Sequence, residues 1–125
     1  GHAKEFVEAQ WKILQQRNPE DFVIATGKNY SVKDLVNLVL KKLKIKFKWK
    51  KSKDGLEYAI AIENISNIKK SQIIVKQEKI YFRPNEVHNL IGDYSKARKI
   101  LNWKPRINFD ELISEMIESD LKLIK

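Results

Sequence analysis

The chain has 125 residues, 42% of them hydrophobic, with 25 Lys and Arg against 16 Asp and Glu for a net charge of +9, and it has no cysteine. That length supports one modest core, so a single domain over residues 1–125 is expected. The missing Cys excludes disulfides, thiolate chemistry and Cys-based zinc sites, leaving His2 and His88 as the only imidazoles.

Phe6, Val7, Trp11 and Leu14 recur at helical spacing, which predicts an amphipathic helix over residues 3–17 ended by Asn18-Pro19. This helix opens without Ser, Thr or Asp at its N-cap and without an initiating Met, so the chain reads as a piece of a longer protein. Gly1 and His2 fit either native sequence or a tag remnant, and no function rests on His2. Phe22 to Thr26 is a short apolar run ended by Gly27, as expected of a strand buried on both faces. Ser31 and Asp34 have capping-box spacing ahead of the stripe Leu35, Val36, Val39, Leu40 and Leu43, which predicts a helix over 31–43.

Residues 45–50 alternate Ile45, Phe47 and Trp49 with Lys46, Lys48 and Lys50, the period of a half-buried strand. Ser52-Lys53-Asp54-Gly55 turns the chain, and Leu56 to Ile62 makes the return strand of a hairpin. Glu63 to Gln72 has weak periodicity, and residues 44–76 as a whole stand apart as an insertion. Strand is expected again at Ile73–Val75 and Ile80–Phe82, stopped by Arg83-Pro84. A short helix over 95–101 leads to a turn at Asn102-Trp103-Lys104-Pro105, where Asn tolerates a left-handed backbone. Asn108 and Glu111 then cap a closing helix with Leu112, Ile113, Met116, Ile117, Leu121 and Ile124 on its buried face. The pattern is α/β, with about four helices and several short strands.

The positive surplus would favour nucleic acid, an acidic membrane surface or a phosphorylated small ligand. No run approaches the roughly 18 apolar residues of a membrane span and no signal peptide is seen, so a soluble, cytoplasmic protein without membrane contact is expected. The lysines of residues 41–53 fit the wet face of a strand, where they also discourage edge pairing; a small basic nucleic-acid-binding module is the competing reading. Arg83 is the residue singled out for chemistry. A guanidinium matches two phosphate oxygens at once, and Pro84 restricts the backbone that aims it. Glu86, three residues on, would accept from sugar or ribose hydroxyls, while the plainer reading is an exposed Arg-Glu pair worth about 0–1 kcal/mol. His88 is assigned no role, and no catalytic or metal-ligating residue is assigned in this chain. Trp11, Trp49 and Trp103 are read as packing groups. The four glycines at 1, 27, 55 and 92 are too scattered for a dinucleotide fingerprint or a P-loop.

Four segments in order carry a resemblance: Gly1-His2-Ala3-Lys4-Glu5-Phe6-Val7-Glu8-Ala9; Ala25-Thr26-Gly27 with Ser31-Val32; Tyr81-Phe82-Arg83-Pro84-Asn85-Glu86-Val87 with Leu90 and Gly92-Asp93; and Lys96-Ala97, Leu101, Trp103-Lys104-Pro105, Phe109, Glu111-Leu112 and Glu115-Met116. Together they resemble the latter part of the GDP-mannose 4,6-dehydratases, members of the extended short-chain dehydrogenase/reductase superfamily. The resemblance implies the carboxy-terminal, substrate-binding portion of such an enzyme, whose missing amino-terminal Rossmann half holds NADP and the catalytic Thr/Ser, Glu and Tyr-Lys groups. It implies that Arg83 and Glu86 line a site for GDP-mannose or a related nucleotide sugar. It further implies that this fragment alone binds no cofactor and is inactive, and that the full-length enzyme is a homo-oligomer. Asn102 stands where the family usually has Gly, and residues 44–76 differ from it in composition, which leaves another nucleotide-sugar epimerase, reductase or dehydratase as an alternative. A non-catalytic interaction module, exposing apolar surface meant for a partner, is a further reading.

Overall fold

The computed structural model describes residues 1–83 and 90–124. Along the chain run α1 (Ala3–Leu14), α2 (Val32–Lys42), β1 (Phe47–Lys51), β2 (Glu57–Ala61), β3 (Ile73–Lys76), a 3-10 turn at Lys79–Tyr81, α3 (Ser95–Leu101) and α4 (Phe109–Leu123). The backbone divides into two units, one of Gly1–Leu35 with His88–Lys125 and the other of Val36–Val87. The second contains the residue 44–76 segment.

In the first unit, α1 begins on a cap that the Ser/Thr/Asp pattern does not find. His2 is extended, and its Nδ1 accepts from the Lys4 N–H at 3.1 Å. An accepting Nδ1 places the proton on Nε2, which donates to Glu115 Oε2 on α4 at 3.0 Å. The helix closes at Leu14, earlier than residue 17, because Gln15 and Gln16 donate to Lys12 and Ile13 carbonyls three residues back and tighten the last turn. Its buried face also differs from the expected stripe. Ala9 of α1 and Ala97 of α3 are both fully buried, so the small residues face the core and only Phe6 of the stripe turns partly inward. Val7, Trp11 and Leu14 are 62%, 62% and 80% exposed, and Trp11 is therefore not a packing group among the described residues.

Trp103 is the hub of this unit. It is 1% exposed, clusters with Ala9, Ala97 and Leu101, and meets Phe6 and Tyr94 edge-on at centroid distances of 6.3 and 6.1 Å. It is delivered by the α3 C-terminus: Asn102 is left-handed at φ 48°, and the Trp103 N–H returns to the Ala97 carbonyl at 3.3 Å. Phe22 and Ile24 pack against the cluster, but residues 22–26 form no strand, in contrast to the sequence expectation. A strand needs a ladder partner, and among the described residues none is paired with this segment; Val23 is half-exposed. α4 starts on the expected capping box: Asn108 Oδ1 accepts from the Glu111 N–H at 3.0 Å, and Glu111 Oε2 from the Asn108 N–H at 2.9 Å.

α2 carries the other expected box. Asp34 Oδ2 accepts from the Ser31 N–H and hydroxyl at 2.9 and 2.7 Å, and Ser31 Oγ accepts from the Asp34 N–H at 3.0 Å. The helix ends at Lys42, and Lys44 beyond it is left-handed at φ 56°, with the Ile45 N–H returned to the Leu40 carbonyl at 2.9 Å.

The second unit is a three-stranded antiparallel sheet in the order β1-β2-β3. β1 pairs with β2 from Phe47 opposite Ala61 to Lys51 opposite Glu57, and the hairpin turns at Gly55, whose φ of 78° only Gly adopts cheaply. Phe47 and Trp49 lie on one face, where Trp49 Nε1 donates to Asn37 Oδ1 of α2 at 2.8 Å; Lys48 and Lys50 lie exposed on the other. A bulge between Ala59 and Ile60 shifts the β2–β3 register, and residues 63–72 fold as turns around one bridge, Ile65 to Ile68. Residues 80–82 are not a strand: the ladder closes at Gln77, whose N–H and side-chain carbonyl both take up the backbone of Glu57 at 2.9 and 2.8 Å.

Two measurements test this packing. Glu5 is 2% exposed, and its Oε1 accepts from the Arg106 and Ile107 N–H groups at 2.5 and 3.1 Å. Glu5→Ala strands both amides and should cost about 2–4 kcal/mol in urea unfolding, with Glu5→Gln recovering much of it; an unchanged midpoint for the Ala variant contradicts this. The Asp34 carboxyl is held below its ordinary value by hydrogen bonds from the Ser31 hydroxyl and amide, and the Asp93 carboxyl in the same way by Ser95. A depressed folded-state value makes each contribute stability that is present above the ordinary carboxyl range and lost as pH falls through the folded value. The double variant Asp34→Asn, Asp93→Asn should therefore show a flatter acid limb in stability against pH, and an unaltered limb would refute the assignment.

Candidate functional site

Arg83 is reached by a short, well-anchored path. β3 ends at Lys76, the Gln77–Glu57 bonds pin the exit, and the 3-10 turn closes with the Tyr81 N–H on the Glu78 carbonyl at 3.2 Å and the Phe82 N–H on the Lys79 carbonyl at 3.0 Å. Phe82 is then extended at φ −70°, ψ 128°, and Arg83 follows it, exposed. Lys79 stands beside Asp54 at 3.9 Å and Lys76 beside Glu78 at 2.7 Å, both in open solvent where such pairs contribute little. Glu86 lies outside the described residues, as do Pro84 and His88.

The charge is concentrated in the unit that contains this path. Residues Val36–Val87 carry thirteen Lys and Arg against five Asp and Glu, a net +8 of the chain's +9. The composition alone pointed to a polyanion or a phosphorylated ligand, and the structure puts the surplus on the same unit as Arg83.

The first unit holds a separate cleft of about 480 Å³, lined by Thr26, Lys28, Tyr30, Tyr94, Arg106 and Phe109 among others. Its rings are ordered, with Tyr30 stacked on Phe109 at 4.1 Å and an interplanar angle of 9°. Gly27 at φ 69° passes so close to Tyr94 that a Cβ would sit 3.1 Å from the ring. Its polar groups are largely committed elsewhere. Arg106 Nη2 donates to Glu8, and Asn108 is the cap of α4. Burial draws the Glu8 carboxyl upward, but hydrogen bonds from Lys12 and Arg106 and their charges outweigh it and hold Glu8 below its ordinary value. His2 serves as cap and Glu115 partner, and no group of three or more metal-ligating side chains occurs among the described residues.

A family model described as GDP-mannose 4,6 dehydratase matches residues 1–116. The chain belongs to the GDP-mannose 4,6-dehydratase family. It is 43% identical over its whole length to GDP-mannose 4,6 dehydratase 2 of Caenorhabditis elegans, of which it covers 31%. It is also 43% identical to the GDP-mannose 4,6-dehydratase of Yersinia enterocolitica and 39% to that of Homo sapiens, again over the whole chain, covering 34% and 32% of them. The chain thus spans about a third of the length of these relatives. The family match includes the residue 44–76 segment that the quoted motifs left out. Sequence reasoning missed two features in the dehydratase family chain: the His2 cap, signalled only by an imidazole one residue before the helix, and the buried Glu5 anchor, which shares a face of α1 with Ala9, opposite the apolar stripe.

Proposed function

We propose that this chain is the GDP-sugar-binding part of a GDP-mannose 4,6-dehydratase, an enzyme converting GDP-mannose to GDP-4-keto-6-deoxymannose. The observation that carries the reading is the family match over residues 1–116 together with Arg83, Pro84 and Glu86 within it. Arg83 stands free of the sheet on a pinned turn, on the unit that carries almost all of the positive surplus, which suits a diphosphate. In this reading its guanidinium takes two phosphate oxygens and Glu86 accepts from a ribose or sugar hydroxyl, fixing the sugar's orientation.

The complete enzyme is proposed to be an NADP-dependent lyase of the extended short-chain dehydrogenase/reductase superfamily, cytoplasmic and homo-oligomeric. NADP supplies hydride acceptance and return when bound. The residues of this chain do not fit it: the glycines at 1, 27, 55 and 92 form no phosphate cradle, and no described helix begins on a glycine-rich turn. The part of this chain is to bind and orient the nucleotide sugar. Supporting a non-membrane location, no helix among the described residues is long and apolar enough to cross a bilayer.

The reading is tested by GDP affinity in the full-length protein. Arg83→Ala should raise the Kd by roughly ten- to 150-fold, as expected for losing hydrogen bonds to a charged group, and Arg83→Lys should fall between because it keeps the charge without the planar fork. An unchanged Kd removes Arg83 from the site and the reading with it.

A further inference from the structure

The two faces of the sheet in the second unit differ sharply in character. Phe47 and Trp49, with their strand partners Ala61 and Ala59, make the face that meets α2 through the Trp49–Asn37 bond. Lys48 and Lys50 leave β1 on the other face, opposite Ile60 and Tyr58. β3 adds Lys76, the partner of Tyr58 on its far side. The half-buried Tyr58 is thus flanked by an exposed lysine from each neighbouring strand, a relation set by the ladder register. The one acid within the three strands, Glu57, is paired with Lys51 and belongs to the α2 face. Lys46 and Lys76 reach Glu63 and Glu78 at 3.0 and 2.7 Å in open solvent, whereas Lys48 and Lys50 form no ion pair among the described residues.

Protection of an edge strand accounts for lysines on β1, but not for a ring held between them and a lysine of β3. Lysines on one face of a strand recur about every 6.6–6.8 Å, close to the step between successive phosphates of an extended single strand. From Lys46 to Lys50 the row spans about 13 Å, longer than a diphosphate. Every base has a π-face that stacks on an aromatic ring, while the backbone follows the cations, so ring and row together suit an unpaired strand rather than a duplex. We propose that this face of the sheet binds single-stranded nucleic acid, with Lys48 and Lys50 on successive phosphates and Tyr58 as the stacking platform for a base. The proposal goes beyond the nucleotide-sugar reading and makes no use of Arg83. Stacking needs the ring and not its hydroxyl, and the lysines act through charge, so each has its own signature.

The test is fluorescence anisotropy of a short labelled oligouridylate titrated with the full-length protein over a range of salt concentrations. The parent should bind, and more weakly as salt rises. Lys48→Gln with Lys50→Gln should weaken binding and reduce the slope of log Kd against log salt by about 1.4, two phosphates at about 0.7 each. Tyr58→Leu, which keeps apolar bulk and loses the ring, should weaken binding about five- to 150-fold with the slope retained, and Tyr58→Phe should stay within about twofold of the parent. Lys99→Gln with Lys104→Gln removes the same charge from the first unit and should leave the slope intact. Urea midpoints near the parent's show that each variant is folded, and GDP affinity should stay within about twofold throughout. The proposal is overturned if the parent does not bind the oligonucleotide, or if the two lysine pairs lower affinity equally, the mark of net charge alone. Loss of GDP affinity in the Lys48, Lys50 variant would instead assign the face to the nucleotide-sugar site. Capture by phosphatidylserine vesicles without oligonucleotide binding would assign it to an anionic membrane, and either result ends the proposal.

Discussion

One buried side chain holds the first unit together. Glu5 receives the amides of Arg106 and Ile107 on its carboxyl and the Trp103 indole N–H on its backbone carbonyl at 2.9 Å, joining positions about a hundred residues apart in the chain. Closing so long a loop is entropically costly, and an unpartnered buried acceptor or amide adds to the penalty, so the contact holds only because three donors converge on one residue. Its other oxygen, Oε2, is buried and has no hydrogen-bond partner among the described residues. Trp103, placed by the left-handed Asn102 and anchored by this bond, then gathers Ala9, Ala97 and Leu101 around it. The anchor thus ties α1 to the segment ahead of α4, beside the His2–Glu115 and Arg106–Glu8 contacts that join the same parts of the chain.

Where the deciding interaction is local, the sequence was a good guide. Both capping boxes, at Ser31–Asp34 and Asn108–Glu111, form as the spacing demands, and Asn102 takes the left-handed turn, because each depends on atoms within a few residues. Lysines alternating with Phe47 and Trp49 likewise produce a strand with one wet face. Where the decision is made by a distant partner, the pattern misled. The apolar run at residues 22–26 lacks a ladder neighbour and is no strand, and the stripe on α1 turns outward because an alanine-to-alanine approach suits α1 and α3 better than large side chains do. The run Ile80–Phe82 has strand composition but is preceded by the Gln77 closure, so it begins as a 3-10 turn.

The proposed binding residue was singled out for a different reason. Arg83 was singled out by the chemistry of a guanidinium before proline, and its place after a pinned turn is what the fold adds. The fold also assigns the charge: the surplus once equally suggestive of nucleic acid belongs to the same unit as Arg83, where it raises the local concentration of any phosphorylated ligand. Under the proposed function, that ligand is a nucleotide sugar.

The central claim is that Arg83 directly contacts the diphosphate of a guanine nucleotide. It is tested most directly by following the side-chain Nε–Hε resonance of Arg83, assigned by its loss in Arg83→Lys, while GDP is titrated into the isotopically labelled full-length protein. The account predicts a saturating shift of that resonance with the same midpoint as the calorimetric Kd. GDP binding with that resonance unmoved would contradict it.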